Sequence, residues 1–596
     1  MRKLLILCVF SALVINSVFA QEEQKKKDDG KIVVGNSFQE SQGLLEGVEY
    51  SGFLLDFKND VTQEQMDAFE EKHGFDAELI PGFENSEKFA IVRKFQGRLK
   101  TWLSKLAGKD ILEGVEPNYI LSAYDQGKKF KDPNPKDFKD PFYKHQWHMA
   151  QIRLPEAFSH NRGKGAVVAV IDTGVAYEDH GRFKRVRDLN KTKFVKPYNF
   201  INNTKHANDD HGHGTHVAGT IAQSTNNGLG VVGIAPEAKI MPLKVLDGQG
   251  RGGIDGIARA IRYAADNGAQ VVNMSLGGPL PSRILRKACQ YASKKGVLLV
   301  CAAGNSGGSI GYPAKYPECM AVSAVQYDET LTFYSSRGKE IEIAAPGGNI
   351  RVDQNKDGYP DGVLQNSIYA RENHKDDYML FMGTSMAAPH VAGAAALLVS
   401  AGVTDAQKVR KILKDSARKT SGLKEHYGAG LLDAAAALEK VLDHSYTRLG
   451  AGLLLGLIVL KSNFLLLLHP LSLLGMGLFG SGFFLHEFSS TPEFLKIFTY
   501  PIPEWDQFLF GADGANPIFR SSFWLLFLVG FCFQLRRLRP FMQGVGFGLA
   551  GYFLVSAVWP MADLVFVPDQ FYTESLWYLA NAGLCAFLGG HSMKSD

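Results

Sequence analysis

Five apolar runs follow one another between residues 166 and 325: AVVAVID, KIMPLKVL, AQVVNMSL, GVLLVCAA and CMAVSAV, with helical patterns between them. A strand with one wet face alternates apolar and polar residues. Continuous apolar strands are covered on both faces, which requires a parallel sheet flanked by helices. In such α/β folds the chemistry collects at the carboxyl ends of the strands. Three polar clusters stand where that rule places them: Asp172 ends AVVAVID, His213 lies in DDHGHGTHVAGTIA where a helix begins, and Ser385 heads the Ala-rich helix of MGTSMAAPHVAGAAALL. A serine hydroxyl is a weak nucleophile until a base takes its proton, and an imidazole base needs a carboxylate to fix its tautomer. Asp172, His213 and Ser385 supply the three groups.

These segments carry a family resemblance. VIDTG, HGHGTHVAGT, AAGNSG and GTSMAAPHVAG are similar to the motifs of the subtilisin-like serine proteases, the subtilases, and occur in the family's order over roughly residues 140 to 440. The resemblance implies the subtilisin fold, Ser385 as nucleophile, His213 as general acid and base, Asp172 as its orienting carboxylate, and Asn305 as the oxyanion-hole amide. It also implies a cleft in which an extended polypeptide lies between NMSLGGP, with Ser275, Leu276 and Gly277, and GQGRGG, with Gly250, Arg251 and Gly252. A metallopeptidase using His211, His213 and His216 lacks the Glu of an H-E-x-x-H arrangement. A silent member of the fold that binds peptides without cutting them is the alternative.

Two segments pattern as metal loops. In VDQNKDGYPDG, residues 352–362, Asp353, Asn355, Asp357, the Tyr359 carbonyl and Asp361 take positions 1, 3, 5, 7 and 9 of an EF-hand-like loop, with Gly358 at the sharp turn and Leu364 in place of the twelfth-position Glu. This stretch lies in an insertion between IEIAAPGG and GTSMAAPH, where the family has a shorter connection; an Asp-Gly surface turn is the simpler account. Many subtilases bind calcium, and Asp140, Asp188, Asn227, Leu229 and Val231 resemble a second set of ligands, so structural Ca2+ at one or two sites is expected.

The rest of the 596 residues exceeds what one core supports. Residues 1–20, MRKLLILCVFSALVINSVFA, have the layout of a cleavable secretory signal, followed by a charged linker at 21–49. Residues 50–124 read β-α-β-β-α-β, a small ferredoxin-like α+β unit with a capping box at Thr62 and Gln65. By the resemblance this unit is an inhibitory propeptide, cut after about Tyr124, and VEPNYILSAY is its last strand lying in the active site. The Lys-, Asp- and Pro-rich stretch 125–139 is expected to be an exposed linker before a catalytic domain at 140–445. From 449 to 590 apolar runs suggest an all-α transmembrane domain of four or five spans, and RRLR at 536–539 marks a cytoplasmic side.

Together these readings place the enzyme in a cell membrane as a multi-pass protein, with its catalytic domain outside the cytoplasm and the lipid bilayer as a partner. With 65 basic and 61 acidic residues the charge is nearly balanced, which excludes a nucleic-acid footprint. Cys289, Cys301 and Cys319 allow at most one bridge, and buried free thiols are expected.

Overall fold

The computed structural model describes residues 50–83, 87–95, 98–123, 126–129, 139–369, 375–460, 469–481, 502–504, 538–558 and 571–591. The expected signal and the linker after it lie outside these residues, as do Tyr124, positions 130–138 and the apolar run 521–535.

The first unit runs β1 (Tyr50–Phe57), α1 (Gln63–His73), β2 (Glu78–Leu79), β3 (Lys88–Val92), α2 (Leu99–Leu106) and β4 (Leu112–Ala123). Its strands stand in the order β4-β1-β3-β2, all antiparallel. The capping box forms as the sequence requires, with the Gln65 N–H donating to Thr62 Oγ1 and the Thr62 N–H to Gln65 Oε1. Gly74 closes α1 in the left-handed conformation. All of β1 from Gly52 to Phe57 is buried; Phe57 packs edge-on against Phe69 of α1 and Phe53 stacks with Trp102 of α2.

The central domain is built on a parallel sheet ordered β14-β13-β12-β10-β6-β8-β7. These strands are β6 (Val167–Asp172), β7 (Lys193–Phe194), β8 (Lys239–Lys244), β10 (Val271–Met274), β12 (Leu298–Ala302), β13 (Cys319–Val325) and β14 (Ile341–Pro346). Val168, Ala169, Val170 and Ile171 are wholly buried, as two covered faces demand. The cover includes α3 (His213–Ala222), α4 (Ile254–Asp266), α5 (Arg283–Lys294), α6 (Thr384–Ser400) and α7 (Ala406–Ser416). Helix α6 is buried from Thr384 to Val399; its Ala and Gly residues let it lie in the core, where a Cβ at Gly393 would stand 2.8 Å from Ile234 Cβ. Cys289, Cys301 and Cys319 are buried and unbridged, as expected.

Two short strands, β9 (Arg251–Gly253) and β11 (Leu276–Gly277), stand beyond the sheet and both pair with β4. The insertion forms a hairpin, β15 (Val363–Tyr369) with β16 (Lys375–Met382). The stretch expected to be an exposed linker begins instead with a strand, β5 (Gln126–Lys129), which joins the free edge of β16. Backbone pairing to an open edge holds it there, a force that composition does not reveal.

Helix α8 (Ala434–Leu460) starts inside the catalytic core, where Ala434, Ala435, Leu438 and Val441 are buried, and continues into the apolar tail. It meets α9 (Pro470–Met476), α10 (Arg539–Val558) and α11 (Phe571–His591) in a helical cluster centred on Val545, Leu549, Phe553 and Tyr578. Glycine permits the tight crossings: a Cβ at Gly544 would fall 1.9 Å from the Ser472 carbonyl oxygen.

Among the described residues no helix is long and apolar enough to cross a membrane, so the expected four or five spans are not found there. Helix α9 has seven residues, roughly 10 Å at a helical rise of about 1.5 Å per residue. Helix α10 dilutes its apolar residues with glycine, Gln543 and Ser556, and α11 carries Glu574 and Asn581.

Candidate active site

Asp172 is the last residue of β6 and His213 the first of α3, so the sheet end and the helix start deliver the two side chains to one point. Both are fully buried, with His213 Nδ1 2.7 Å from Asp172 Oδ1. The approach depends on Gly214: a Cβ there would lie 2.1 Å from the Gly174 oxygen and 3.1 Å from Asp172 Oδ1.

The loop before His213 is held by a residue that motif reading passed over. Asp209, 1% exposed, accepts from Thr173 Oγ1 and from the backbone N–H groups of His211, Gly212 and Thr215, and also from Thr215 Oγ1. Lys244 beside it donates to Asp210 Oδ1 and to the carbonyls of Thr173 and Leu246. The signal was present as the acidic pair preceding HGHGT.

Ser385 is the second residue of α6, at the end where backbone N–H groups favour negative charge. Its Oγ donates to the Ser275 carbonyl at 3.0 Å, while Ser275 Oγ donates to the Ser385 carbonyl at 2.8 Å. The second bond has a cause four residues on. Pro389 has no N–H to give to the carbonyl at i−4, which is that of Ser385, and Ser275 supplies the missing donor. Asn305 Oδ1 accepts from the Thr384 N–H and Oγ1 at 2.9 and 2.8 Å. The side chain is thereby fixed by its oxygen end next to Ser385.

The two expected walls of the cleft are brought together, with β4 of the first unit between them. Ser122 stands opposite both Arg251 and Gly277, Leu121 opposite Gly252, and Ala123 opposite Leu276. The Ala123 N–H donates to the Gly250 carbonyl at 3.0 Å. The same unit caps α5: Glu116 accepts from Ser282 Oγ and from the N–H groups of Arg283 and Ile284, and burial pushes its carboxyl pKa upward. Asp56 meets the Arg283 guanidinium at 2.8 Å; burial outweighs that attraction and raises it to about 7.

His216 is directed elsewhere than to a shared metal with His213. His216 Nε2 lies 3.0 Å from the Val363 carbonyl and 3.2 Å from that of Met379, tying α3 to both strands of the hairpin. Burial lowers its pKa to about 3. Among the described residues no three His, Cys, Asp or Glu side chains gather as a metal cage.

The loop 353–361 is held by its own side chains. Asp353 Oδ2 accepts from the Gly358 N–H, Asn355 Oδ1 from that of Asp357, and Asp357 Oδ1 from that of Tyr359. Asp357 Oδ2 also meets His145 Nδ1 at 2.8 Å. Asp361 is 1% exposed, and its Oδ1 has no hydrogen-bond partner. Burial, reinforced by the charges of Asp353 and Asp357, raises its pKa.

At the second expected site Asp140, Asp188 and Asn227 do meet, but through N–H groups. Asp140 accepts from the N–H of Asn226 and of Asn227, and Asp188 from Asn227 Nδ2 and the Val231 N–H. The Leu229 N–H turns to Asn227 Oδ1. Burial, with Asp140 nearby, raises Asp188 to about 8.

Comparison with known proteins agrees with this architecture. The subtilase family profile matches residues 163–430, and a domain of unknown function, DUF5942, matches residues 446–596. Subtilisin BL of Lederbergia lenta is 40% identical over 296 residues, covering 49% of this chain and 97% of the relative. Thermitase of Thermoactinomyces vulgaris is 36% identical over 302 residues, 50% of this chain and 98% of the relative. A thermophilic serine proteinase of Bacillus sp. (strain AK1) is 33% identical over 389 residues, 65% of this chain and 86% of the relative. The chain belongs to the subtilase family and is a subtilisin-like serine-type endopeptidase.

Proposed function

We propose that this endopeptidase works through an Asp172–His213–Ser385 triad, is made as an autoprocessed zymogen, and acts outside the cytoplasm on extended polypeptides. The observation that carries the reading is the buried 2.7 Å contact between His213 and Asp172 beside a cleft filled by the chain's own β4. In catalysis Ser385 Oγ leaves the Ser275 carbonyl, gives its proton to His213 Nε2 and attacks the scissile carbonyl. The imidazolium that forms is stabilised by Asp172 and returns the proton to the leaving amine. Asn305, its oxygen held by Thr384, offers Nδ2 to the oxyanion.

The first unit acts as the inhibitory propeptide, of ferredoxin-like topology. Ala123 pairs with Leu276, and the neighbouring Ser275 exchanges hydrogen bonds with Ser385, so β4 ends beside the nucleophile. The bond after Tyr124 is then the processing site. Glu116 on the α5 terminus and Asp56 on Arg283 hold the unit in place after the cut.

Calcium belongs on the loop 353–361, where the orphaned oxygen of buried Asp361 and its repulsion with Asp353 and Asp357 fit a cation. When bound it neutralises that charge and braces the insertion. Asp353, Asn355, Asp357, Asp361 and the Tyr359 carbonyl would hold it. At the second site both oxygens of Asp140 and both of Asp188 accept N–H bonds, so no oxygen there matches Asp361 Oδ1. The tail is a membrane attachment, supported by the exposed Leu454, Leu457, Ile458 and Phe587 on its helices.

Expression of Ser385→Ala beside wild type tests the triad. Wild type is expected to lose residues up to 124 and to label with a serine-directed phosphonate, and the variant to do neither. Identical processing without labelling in both supports the silent, peptide-binding alternative. Chelation is expected to lower the melting temperature of wild type and to leave Asp361→Asn unaffected; a wild type indifferent to chelator removes calcium from the proposal.

A further inference from the structure

All three cysteines of the catalytic domain come together. Cys289 lies on α5, Cys301 on β12, and Cys319 opens β13. In the parallel register Leu299 stands opposite Cys319 and Cys301 opposite Ala321, so the two strand cysteines share one face of the sheet. Cys289 reaches the same place from α5, its Sγ 3.8 Å from Cys319 Sγ across 30 residues of sequence. All three thiols are buried and unbridged.

Cys319 also lines a cleft of about 890 Å3 at the amino ends of β13 and β14, the opposite end of the sheet from Asp172. Among the described residues five lysines and Arg410 line it against three carboxylates. Two of those carboxylates are already paired, Glu342 with Arg410 and Lys414, and Asp415 with Lys411 and Lys440. The surplus positive charge draws anions. Arg410 on α7 further donates to the carbonyls of Pro317 and Cys319 at 3.1 and 3.0 Å, which fixes a cation beside the start of β13. Burial opposes ionisation of Cys319, but hydrogen bonds from the Cys289 and Cys301 thiols outweigh it and bring its pKa down to about 6. The other two move upward, Cys289 through its bond to Cys319 and burial, Cys301 through burial first. Cys319 is therefore the nucleophile of the group.

We propose that Cys319 and Cys289 form a thiol–disulfide exchange site for small anionic disulfides, with the basic cleft as its entrance. The Cys319 thiolate attacks one sulfur of a disulfide RSSR, forming a Cys319–SR bond and releasing one RS−. Cys289 gives up its proton and attacks the Cys319 sulfur, which releases the second RS− and leaves a Cys289–Cys319 bond. Two cysteines are oxidised, one disulfide is reduced to two thiols, and the two cysteine protons end on those thiols. The sulfurs close from 3.8 Å to about 2.05 Å. The new bond ties α5 to β13. Helix α5 also receives Glu116 and Asp56 of the first unit, so the bond fixes that docking surface to the sheet.

The test uses the purified full chain, carrying Ser385→Ala against self-digestion, treated with glutathione disulfide, which is anionic, or with cystamine, which is cationic. Remaining thiols are alkylated in denaturant and mapped by mass spectrometry. Glutathione disulfide is expected to join the peptides of Cys289 and Cys319, to leave Cys301 alkylated, and to raise the melting temperature by several degrees until dithiothreitol reverses it. Cys289→Ser should stop at a glutathione adduct on Cys319, and Cys319→Ser should form neither adduct nor bridge. Corrected for its rate with free cysteine, the anionic reagent should react about tenfold faster than the cationic one at low salt, a ratio that falls toward one at about 0.5 M salt. Lys339→Glu with Lys424→Glu should abolish that ratio while the bridge still forms. Cys289 and Cys319 both alkylated after treatment, or a bond from Cys319 to Cys301, overturns the exchange site. Equal corrected rates for the two reagents at low salt overturn the cleft as its entrance.

Discussion

At the residue scale the site depends on hydrogen bonds between groups far apart in sequence. Asp209 collects five N–H and O–H donors from the segments carrying Asp172 and His213. Asp209→Asn replaces one acceptor oxygen with a donor and is expected to cost about 3 kcal/mol of stability, measured by urea unfolding of the Ser385→Ala background. Asn305→Leu should lower kcat by about 10² to 10³ with KM little changed, by steady-state assay.

Three buried histidines oppose folding in acid. Burial lowers His216 to about 3 and His390 to about 4, and holds His148 well below its ordinary 6.5. A histidine whose folded pKa is depressed adds stability that is complete above 6.5 and is lost as pH falls toward the folded value. Between pH 6.5 and pH 4 the melting temperature should therefore be less acid-sensitive in His390→Gln than in wild type, while Asp56 and Asp188, whose pKa values burial raises, act in the opposite sense in both proteins; equal slopes in the two proteins contradict this origin.

At the element scale the first unit docks through a strand and a helix cap. Glu116 places a carboxylate on the α5 terminus, where three donors meet it and the helix dipole favours negative charge. If the first unit is the inhibitor proposed above, Glu116→Gln in residues 50–124 supplied in trans should inhibit the enzyme lacking them about tenfold less well, because charge-assisted bonds become neutral ones. The β-α-β-β-α-β order of this unit was legible in its caps and alternation, and the central sheet in its apolar runs. The pairing of β5 with β16 was not. A Lys- and Gly-containing tetrad has no strand signature and becomes a strand only because an open edge meets it.

At the scale of the whole molecule, α8 joins the catalytic core to the apolar tail in one helix. Exposed Leu454, Ile458 and Phe587 should carry attachment to lipid. Their joint replacement by serine is expected to reduce flotation of the full chain with vesicles while leaving phosphonate labelling intact; unchanged flotation assigns attachment elsewhere.

The sequence by itself determined the parallel sheet, the order of Asp172, His213 and Ser385, and the cap of α1, because each follows from local period and chemistry. In the tail, apolar composition does not fix helix length: among the described residues no helix is long and apolar enough to cross a membrane. Only the tertiary structure decided that Ser275 replaces the donor Pro389 lacks, that Glu116 caps α5, and that the insertion offers β16 to residues 126–129. Those are meetings of segments separated by tens to hundreds of residues, and their energy lies in backbone groups that every residue carries.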